Sequence, residues 1–454
     1  MLEKLRKILS RIDADYADLR HEVKRETKIR LDCGKVQELS CCETDGYLLR
    51  ILKGGGFANV AFIRPDQADT AIKFATENAI FQGNKLSKPV RLADVPVVKD
   101  RVVAVLDRDP RKIDTREKLE LLCNYDTIPK SSKKVIARAF TYADISREKC
   151  FVSTEGTEVS EDLVTNSIQG LITAREGTLT QNIRLNIGGG TGFGSLINRE
   201  AVFEERTRIV EGLLTAEPGR GGVQNVVLSP LLAGVFAHEA FGHSSEADTV
   251  ENSTGFREKM SLGTRLGSEV VNIVDEPTRR GLLGYYRFDD EGVEARKTDL
   301  MRAGVLTGRL HCRRTAAAFG EPITGHAIAE DFRYPPLVRM GTIYIEPGTA
   351  TLDELLEKCG EGLYIVDARG GQTAGESFTF AGQFGYKISG GKKTGLVRDL
   401  NISGNLFKTL ESVALIGNDL KFSEAGSCGK GQANIRSCLG SPSILVRDVV
   451  VGGV

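Results

Sequence analysis

Two of the chain's five histidines fall within six residues, in the run His238-Glu-Ala-Phe-Gly-His243. Two imidazoles with a carboxylate beside them form the donor set of a zinc hydrolase. The imidazoles bind the ion, and the carboxylate serves as general base toward a water on it. The pattern reads H-E-x-x-x-H, and its spacing needs an explanation. Residues four apart on an α-helix lie about 40° from each other around the axis, whereas residues five apart lie about 140° apart. A regular helix would therefore turn His238 and His243 away from each other. Gly242 offers a way out, because it can end the helix in a left-handed conformation or admit a bulge that swings His243 back. The expectation is a helix that stops or distorts at Gly242.

Two imidazoles leave a catalytic zinc short of its usual three protein ligands. Glu246 and Asp248 just downstream, His311, His326 or a cysteine could supply the third. Cys428 stands out in Ser427-Cys-Gly-Lys-Gly-Gln432. The glycine after it lets backbone approach a crowded site, and Lys430 could help keep the thiol as thiolate. The residues read as zinc held by His238, His243 and Cys428, with Glu239 as general base. The plainer alternative is two histidines bonded to backbone at a helix end, with Glu239 in a salt bridge.

The elements around the motif fit this reading. Ser229 suits an N-cap and Pro230 the first helical position. Leu231, Leu232, Val235 and Phe236 then make a buried helical segment that delivers His238 and Glu239 near its end. Upstream, Glu217-Pro-Gly-Arg-Gly-Gly222 breaks the chain. This predicts an N-terminal domain over 1–220 and a C-terminal domain over 221–454. In the first, Leu2, Leu5, Ile8, Leu9, Ile12, Tyr16 and Leu19 fall at helical spacing. Further helices are expected over 66–82, 114–122, 131–142 and 198–213. A hairpin turns at Gly54–Gly56, and strands are expected over 150–154, 156–161, 167–175 and 179–187. In the second, short β-rich runs recur over 223–228, 270–274, 282–288, 306–310, 342–345, 363–366, 378–380, 386–388, 396–397 and 444–451. One helix with a capping box at Thr351 and Glu354 interrupts them. The fold class is α+β: a mixed N-terminal domain, then a large, mainly antiparallel β domain carrying the metal-site helix.

Composition narrows the function. The 454 residues carry 61 Lys+Arg against 61 Asp+Glu. A net charge of zero argues against direct nucleic-acid binding or an anionic membrane surface. No apolar run is long enough to span a bilayer, and charges interrupt the amino terminus too often for a signal peptide. The nine cysteines are irregular and contain no CxxC pair, which excludes a zinc ribbon or thioredoxin-type motif and suits reduced thiols in the cytoplasm. Ile187-Gly-Gly-Gly-Thr-Gly-Phe-Gly-Ser195 lacks the Gly-Lys-Ser/Thr ending of a phosphate loop and reads as an interdomain turn. His21 is expected to be solvated in a charged helix, His326 to lie at the surface, and Cys41 and Cys42 to serve packing.

The motifs together resemble the TldD/PmbA family, long called modulators of DNA gyrase. The resemblance rests on His238-Glu-Ala-Phe-Gly-His-Ser-Ser-Glu-Ala-Asp248, Asp289-Asp-Glu-Gly-Val293, Gly304-Val-Leu-Thr-Gly308, Gly370-Gly-Gln372 and Leu415-Ile-Gly-Asn-Asp419. Ser427-Cys-Gly-Lys-Gly-Gln432 and Val449-Val-Val-Gly-Gly453 complete it, and Leu52-Lys-Gly-Gly-Gly-Phe57 carries it into the amino-terminal third. It implies a cytoplasmic zinc metallopeptidase with Zn2+ on both motif histidines and on Cys428, and Glu239 as catalytic base. It also implies a heterodimer with a TldE/PmbA-like subunit, or a homodimer, acting on unfolded or flexible peptides. The alternatives are a non-catalytic, zinc-containing binding or regulatory subunit, and a gyrase-associated nucleic-acid factor.

Overall fold

A computed structural model describes residues 1–452; Gly453 and Val454, which end the last motif and the second expected domain, lie outside the described residues. Helix α1 (Leu2–Leu9) buries Leu5, Ile8 and Leu9, but it stops at Ser10 rather than running on to Leu19. From Tyr16 the chain is strand β1 (Tyr16–Asp32), antiparallel to β2 (Lys35–Lys53). The helical spacing fails there because both faces of the strand are covered, so polar positions are buried along with apolar ones. Asp18, Arg20 and Glu22 are among those buried positions. Burial at these sites requires partners. Arg50 pairs with Asp18 at 2.6 Å, and Arg147 pairs with Glu22 at 2.8 Å.

The remaining strands of this sheet are β3 (Gly56–Phe62), β4 (Lys99–Val102), β5 (Val135–Ser153), β6 (Glu158–Glu176) and β7 (Leu179–Gly189). Their order is β3-β2-β1-β5-β6-β4, with β7 also on β6. Helices α2 (Ala68–Gly83), α3 (Thr115–Lys130) and α4 (Glu200–Leu213) accompany it. The helix expected over 131–142 is instead the entry to β5, where Phe140 and Tyr142 alternate into the core. That alternation is the two-residue period of a strand.

Two further large sheets dominate the second half. One has eight strands, including Gly222–Leu228, Gly362–Ala374, Ser377–Ser389 and Ile444–Gly452. The other has six, including Ile273–Asp275, Thr342–Ile345 and Cys438–Ser441. Most pairings are antiparallel; Leu363–Ile365 beside Val226–Leu228 and Thr342–Tyr344 beside Cys438–Gly440 are parallel. The runs at 378–380 and 386–388 belong to one long strand, while 282–288 forms no strand. The helix Leu352–Cys359 carries the expected capping box. The fold is α+β. The main apolar core joins residues of both sheets, such as Ile343, Ile345, Phe378, Phe380 and Ile444, to Leu232, Phe236 and Phe241 of the motif segment.

We propose the division at 220/221 because every strand of the first sheet precedes it. One short strand, Glu217–Pro218, crosses the line to pair with Val397–Arg398. The two halves meet through ion pairs, two of them buried, as well as apolar contacts. Arg50 reaches Glu291 at 2.8 Å, Lys149 reaches Asp290 at 3.2 Å, and Arg313 clasps Glu155 at 2.8 Å. No helix among the described residues is long and apolar enough to cross a membrane.

Candidate metal centre

The segment that bears the motif begins where the strand Gly222–Leu228 ends. Ser229 takes the N-cap position in extended conformation, and Pro230 opens helix α5 (Pro230–Val235). The Ser229 hydroxyl does not cap the helix, however. It accepts the backbone N–H of Asp367 at 2.9 Å and so ties the helix start to the neighbouring strand. After Val235 the chain widens into a π-helical turn over Phe236–Gly242, and His243 N–H donates to the carbonyl of His238. This five-residue hydrogen bond stacks residues five apart on one side, resolving the spacing that a regular helix forbids. The His238 and His243 rings lie 5.3 Å apart, nearly perpendicular.

Gly242 is therefore part of a bulge and not a left-handed stop. Its φ of −58° and ψ of −51° are ordinary right-handed values. What requires glycine is space: a Cβ there would overlap Met340 Sδ and stand 2.8 Å from Ile343 Cδ1. Gly234 is similarly crowded by Leu439 and the backbone of Gly440. The segment thus lies hard against the six-stranded sheet.

Across from the motif, Cys428 sits on the short strand Ser427–Cys428, which pairs with Ile435–Arg436. Its Sγ is 3.2 Å from His243 Nε2. Glu239 Oε2 is 3.8 Å from the same nitrogen. The donor atoms of His238, Glu239, His243 and Cys428 all lie within 4.8 Å of one another. The buried Nδ1 of His238 has no hydrogen-bond partner among the described residues. An unpaired buried nitrogen of this kind costs about 1–3 kcal/mol. Two imidazoles, a thiolate and that orphan fit a borderline-soft divalent ion such as zinc better than a self-satisfied polar cluster.

The electrostatics prepare the donors. Burial alone would raise the Cys428 thiol, but hydrogen bonds from His238 and His243 bring it down to about 5. Burial would lower the His243 imidazole, yet Cys428 and Glu246 raise it to about 10. Without a metal, the pair is thiolate and imidazolium at neutral pH. Lys430 has a different part from the one expected. Its Nζ turns to Glu246 at 2.9 Å, Asp248 at 2.5 Å and the carbonyl of Val338 at 3.1 Å, and the histidines hold the thiolate.

The other candidate ligands are engaged elsewhere. Glu246 bonds the far nitrogen of His243, Nδ1, at 3.2 Å. His311 bonds Thr315 at 3.1 Å and Glu321 at 3.0 Å. His326 is fully buried, not at the surface, between Asp275 and the Thr324 carbonyl, each at 3.0 Å. His21 is buried in β1 against Asp45 at 2.8 Å, not solvated in a helix. Cys41 and Cys42 are exposed on β2 rather than packed in the core. Sequence reasoning misses Arg339, which is completely buried with its Nε 3.8 Å from Glu246 Oε1; nothing in its sequence neighbourhood signals it.

A cavity of about 580 Å³ borders the hairpin that carries Cys428. Lys24, Thr141 and Gln169 of the first sheet wall one side, with Ser427, Asn434 and Arg436 on the other. Ser427 and Arg436 are a cross-strand pair, so they share a face while Cys428 points to the histidines.

Residues 221–453 match the family model described as the PmbA/TldA metallopeptidase C-terminal domain. A metalloprotease of Synechocystis sp. is 35% identical over 97% of this chain and 95% of its own length. A zinc metalloprotease TldD homolog of Saccharolobus solfataricus is 30% identical, with 97% of each chain covered. Among solved structures, a putative modulator of DNA gyrase from Thermotoga maritima superposes with a TM-score of 0.80 at 19% identity, covering 96% of each chain. TldE from Thermococcus kodakarensis gives 0.78 at 16% identity, covering 99% of each. These two share the fold.

Proposed function

The chain belongs to the PmbA/TldD family of metallopeptidases, and from that premise we propose that it is a zinc-dependent endopeptidase of unfolded or flexible peptides. The observation that carries this reading is the set of four donor atoms within 4.8 Å, made possible by the π turn. His238, His243 and Cys428 would hold the ion, leaving a fourth position open. Zinc, when bound, supplies a water of lowered pKa and polarises a carbonyl.

Glu239 is the group left to move protons. Its side chain is about one-third exposed, beside the histidines and within reach of solvent. It would accept a proton at Oε2 and return it to the leaving amine, which keeps one carboxylate in both halves of the reaction. The cavity on the other face of the Cys428 hairpin, lined by both halves of the chain, has room for part of an extended peptide. Strand edges bind such a peptide through its main chain with little regard to sequence. A chain that keeps the full metal motif fits the metal-bearing subunit of a cytoplasmic heterodimer with a TldE/PmbA-like partner, or of a homodimer. The T. kodakarensis TldE has the same fold, which supports such pairing.

The test is zinc content and cleavage of an unstructured peptide by wild type and Glu239→Gln, each with and without a TldE/PmbA-like partner. Glu239→Gln should retain zinc and lose about 10²–10⁴-fold in cleavage. Equal cleavage by both proteins removes Glu239 from the mechanism.

A further inference from the structure

We propose that Glu246 is a positioning residue for the metal centre: it fixes the ring and tautomer of His243, and Lys430 couples that setting to the loop that carries Cys428. The inference rests on the zinc reading above and concerns what holds the ligands in place.

The geometry around Glu246 is specific. Its Oε2 lies 3.2 Å from His243 Nδ1, on the edge of the ring away from Cys428. A carboxylate there accepts the Nδ1–H, so that the proton given up on metal binding is the one on Nε2, whose lone pair then faces Cys428 Sγ and Glu239. The same Oε2 accepts from Lys430 Nζ at 2.9 Å. Its Oε1 has no hydrogen-bond partner among the described residues, and Arg339 Nε stands 3.8 Å away. Glu246 and Arg339 are both fully buried, and none of the three Arg339 guanidinium nitrogens has a hydrogen-bond partner among the described residues. Glu246 Oε1 and the Arg339 guanidinium are therefore each other's nearest opposite charge, which helps hold the carboxylate in place. The backbone is also held, since Ser245 carbonyl accepts from Leu310 N–H at 2.9 Å and Leu310 carbonyl accepts from Ala247 N–H at 3.1 Å.

Lys430 gives the arrangement its reach. It lies two residues beyond Cys428, and its Nζ contacts Glu246, Asp248 and the Val338 carbonyl. Asp248 in turn accepts Val338 N–H at 3.3 Å. Three distant stretches of chain, 243–248, 338–339 and 428–430, therefore converge on one ammonium and two carboxylates. Cys428 and His243 would keep their 3.2 Å approach only while this clamp is closed.

The test uses the full chain, stripped of metal and reloaded. Zinc affinity is measured by competition with a chromophoric chelator for wild type, His238→Ala, Glu246→Gln, Lys430→Met and the double variant E246Q/K430M. Melting of the metal-free proteins and visible spectra of the cobalt-loaded ones are recorded alongside. Glu246→Gln should weaken zinc about 10–100-fold and alter the cobalt–thiolate bands; its metal-free melting should fall as well, because Arg339 stays buried without its counter-charge. Lys430→Met should weaken it less, and the double variant should lose less than the product of the single losses, because both act through one link. If Glu246→Gln does not fold, Lys430→Met and its cobalt spectrum decide alone. Wild-type affinity and spectrum in Glu246→Gln overturn the proposal, as does a zinc loss in folded Glu246→Gln whose cobalt–thiolate bands match those of wild type. Failure of wild type itself to bind zinc more tightly than His238→Ala overturns the zinc reading as well, so the two failures are distinguishable.

Discussion

Gly242→Ala isolates the reason for the glycine in the motif. Its backbone is right-handed helical, so alanine's better helix propensity should by itself stabilise the protein by about 0.8–1.0 kcal/mol. The side chain has nowhere to go: its Cβ would overlap Met340 Sδ and stand 2.8 Å from Ile343 Cδ1. Overpacking of this kind typically costs about 1–3 kcal/mol. At so close an approach the clash outweighs the propensity, and the net change should be a loss of up to roughly 2 kcal/mol. Urea denaturation of the metal-free chain measures it, and a chelator titration should show weaker zinc binding as the π turn is pushed off the sheet. Met340→Ala alone should cost about 2–5 kcal/mol, since it empties a fully buried site. In the Gly242→Ala background that cost should shrink by at least about 1 kcal/mol, because the truncation makes room for the new methyl. If the two changes add to within about 0.5 kcal/mol, steric crowding is not why the position is glycine, and the reasoning is refuted.

Zinc affinity should rise with pH between about 5 and 10. In the metal-free site Cys428 is already thiolate above about 5, while His243 holds its proton up to about 10. One proton must then leave for each ion bound, giving about a tenfold gain per pH unit, and below about 5 the thiol adds a second. An affinity flat from pH 6 to 9 contradicts these assignments. Alkylation of Cys428 in the stripped protein should show a midpoint near 5, and His243→Ala should move it upward, as read by mass spectrometry of the labelled peptide. Arg50→Met should destabilise by about 3–5 kcal/mol, because Asp18 and Glu291 would stay buried without their shared cation. Unchanged denaturation would show that the two halves do not depend on that pair.

The chemistry of the site is legible in the sequence because it is carried by residue types that have few other uses together. His238, Glu239, His243 and Cys428 stand out in a chain with five histidines, and the five-residue spacing itself demands a distorted helix. The choice between a left-handed stop and a bulge is not legible, because it depends on Met340 and Ile343, about a hundred residues away. Lys430 illustrates the same limit: its proximity to Cys428 in sequence suggests a partner for the thiol, but folding brings Glu246 and Asp248 to its ammonium. Strand β1 reads as helix in sequence because Asp18, Arg20 and Glu22 look solvated until their buried partners are known. His21 and His326 look solvent-facing for the same reason.

The π turn also fixes the length of the motif. On a helix each residue advances the chain by about 100°. Removing one residue between His238 and His243 would restore the four-residue spacing and keep both imidazoles on one side. It would also rotate everything after the deletion by that same angle, turning Glu246 away from Lys430 and Ser245 away from Leu310. The motif is therefore locked in register by the contacts of Ser245, Glu246 and Ala247 downstream of it. Substitutions can be absorbed position by position, but a single-residue insertion or deletion in this segment would have to be matched by a compensating change before Leu310 could pair again.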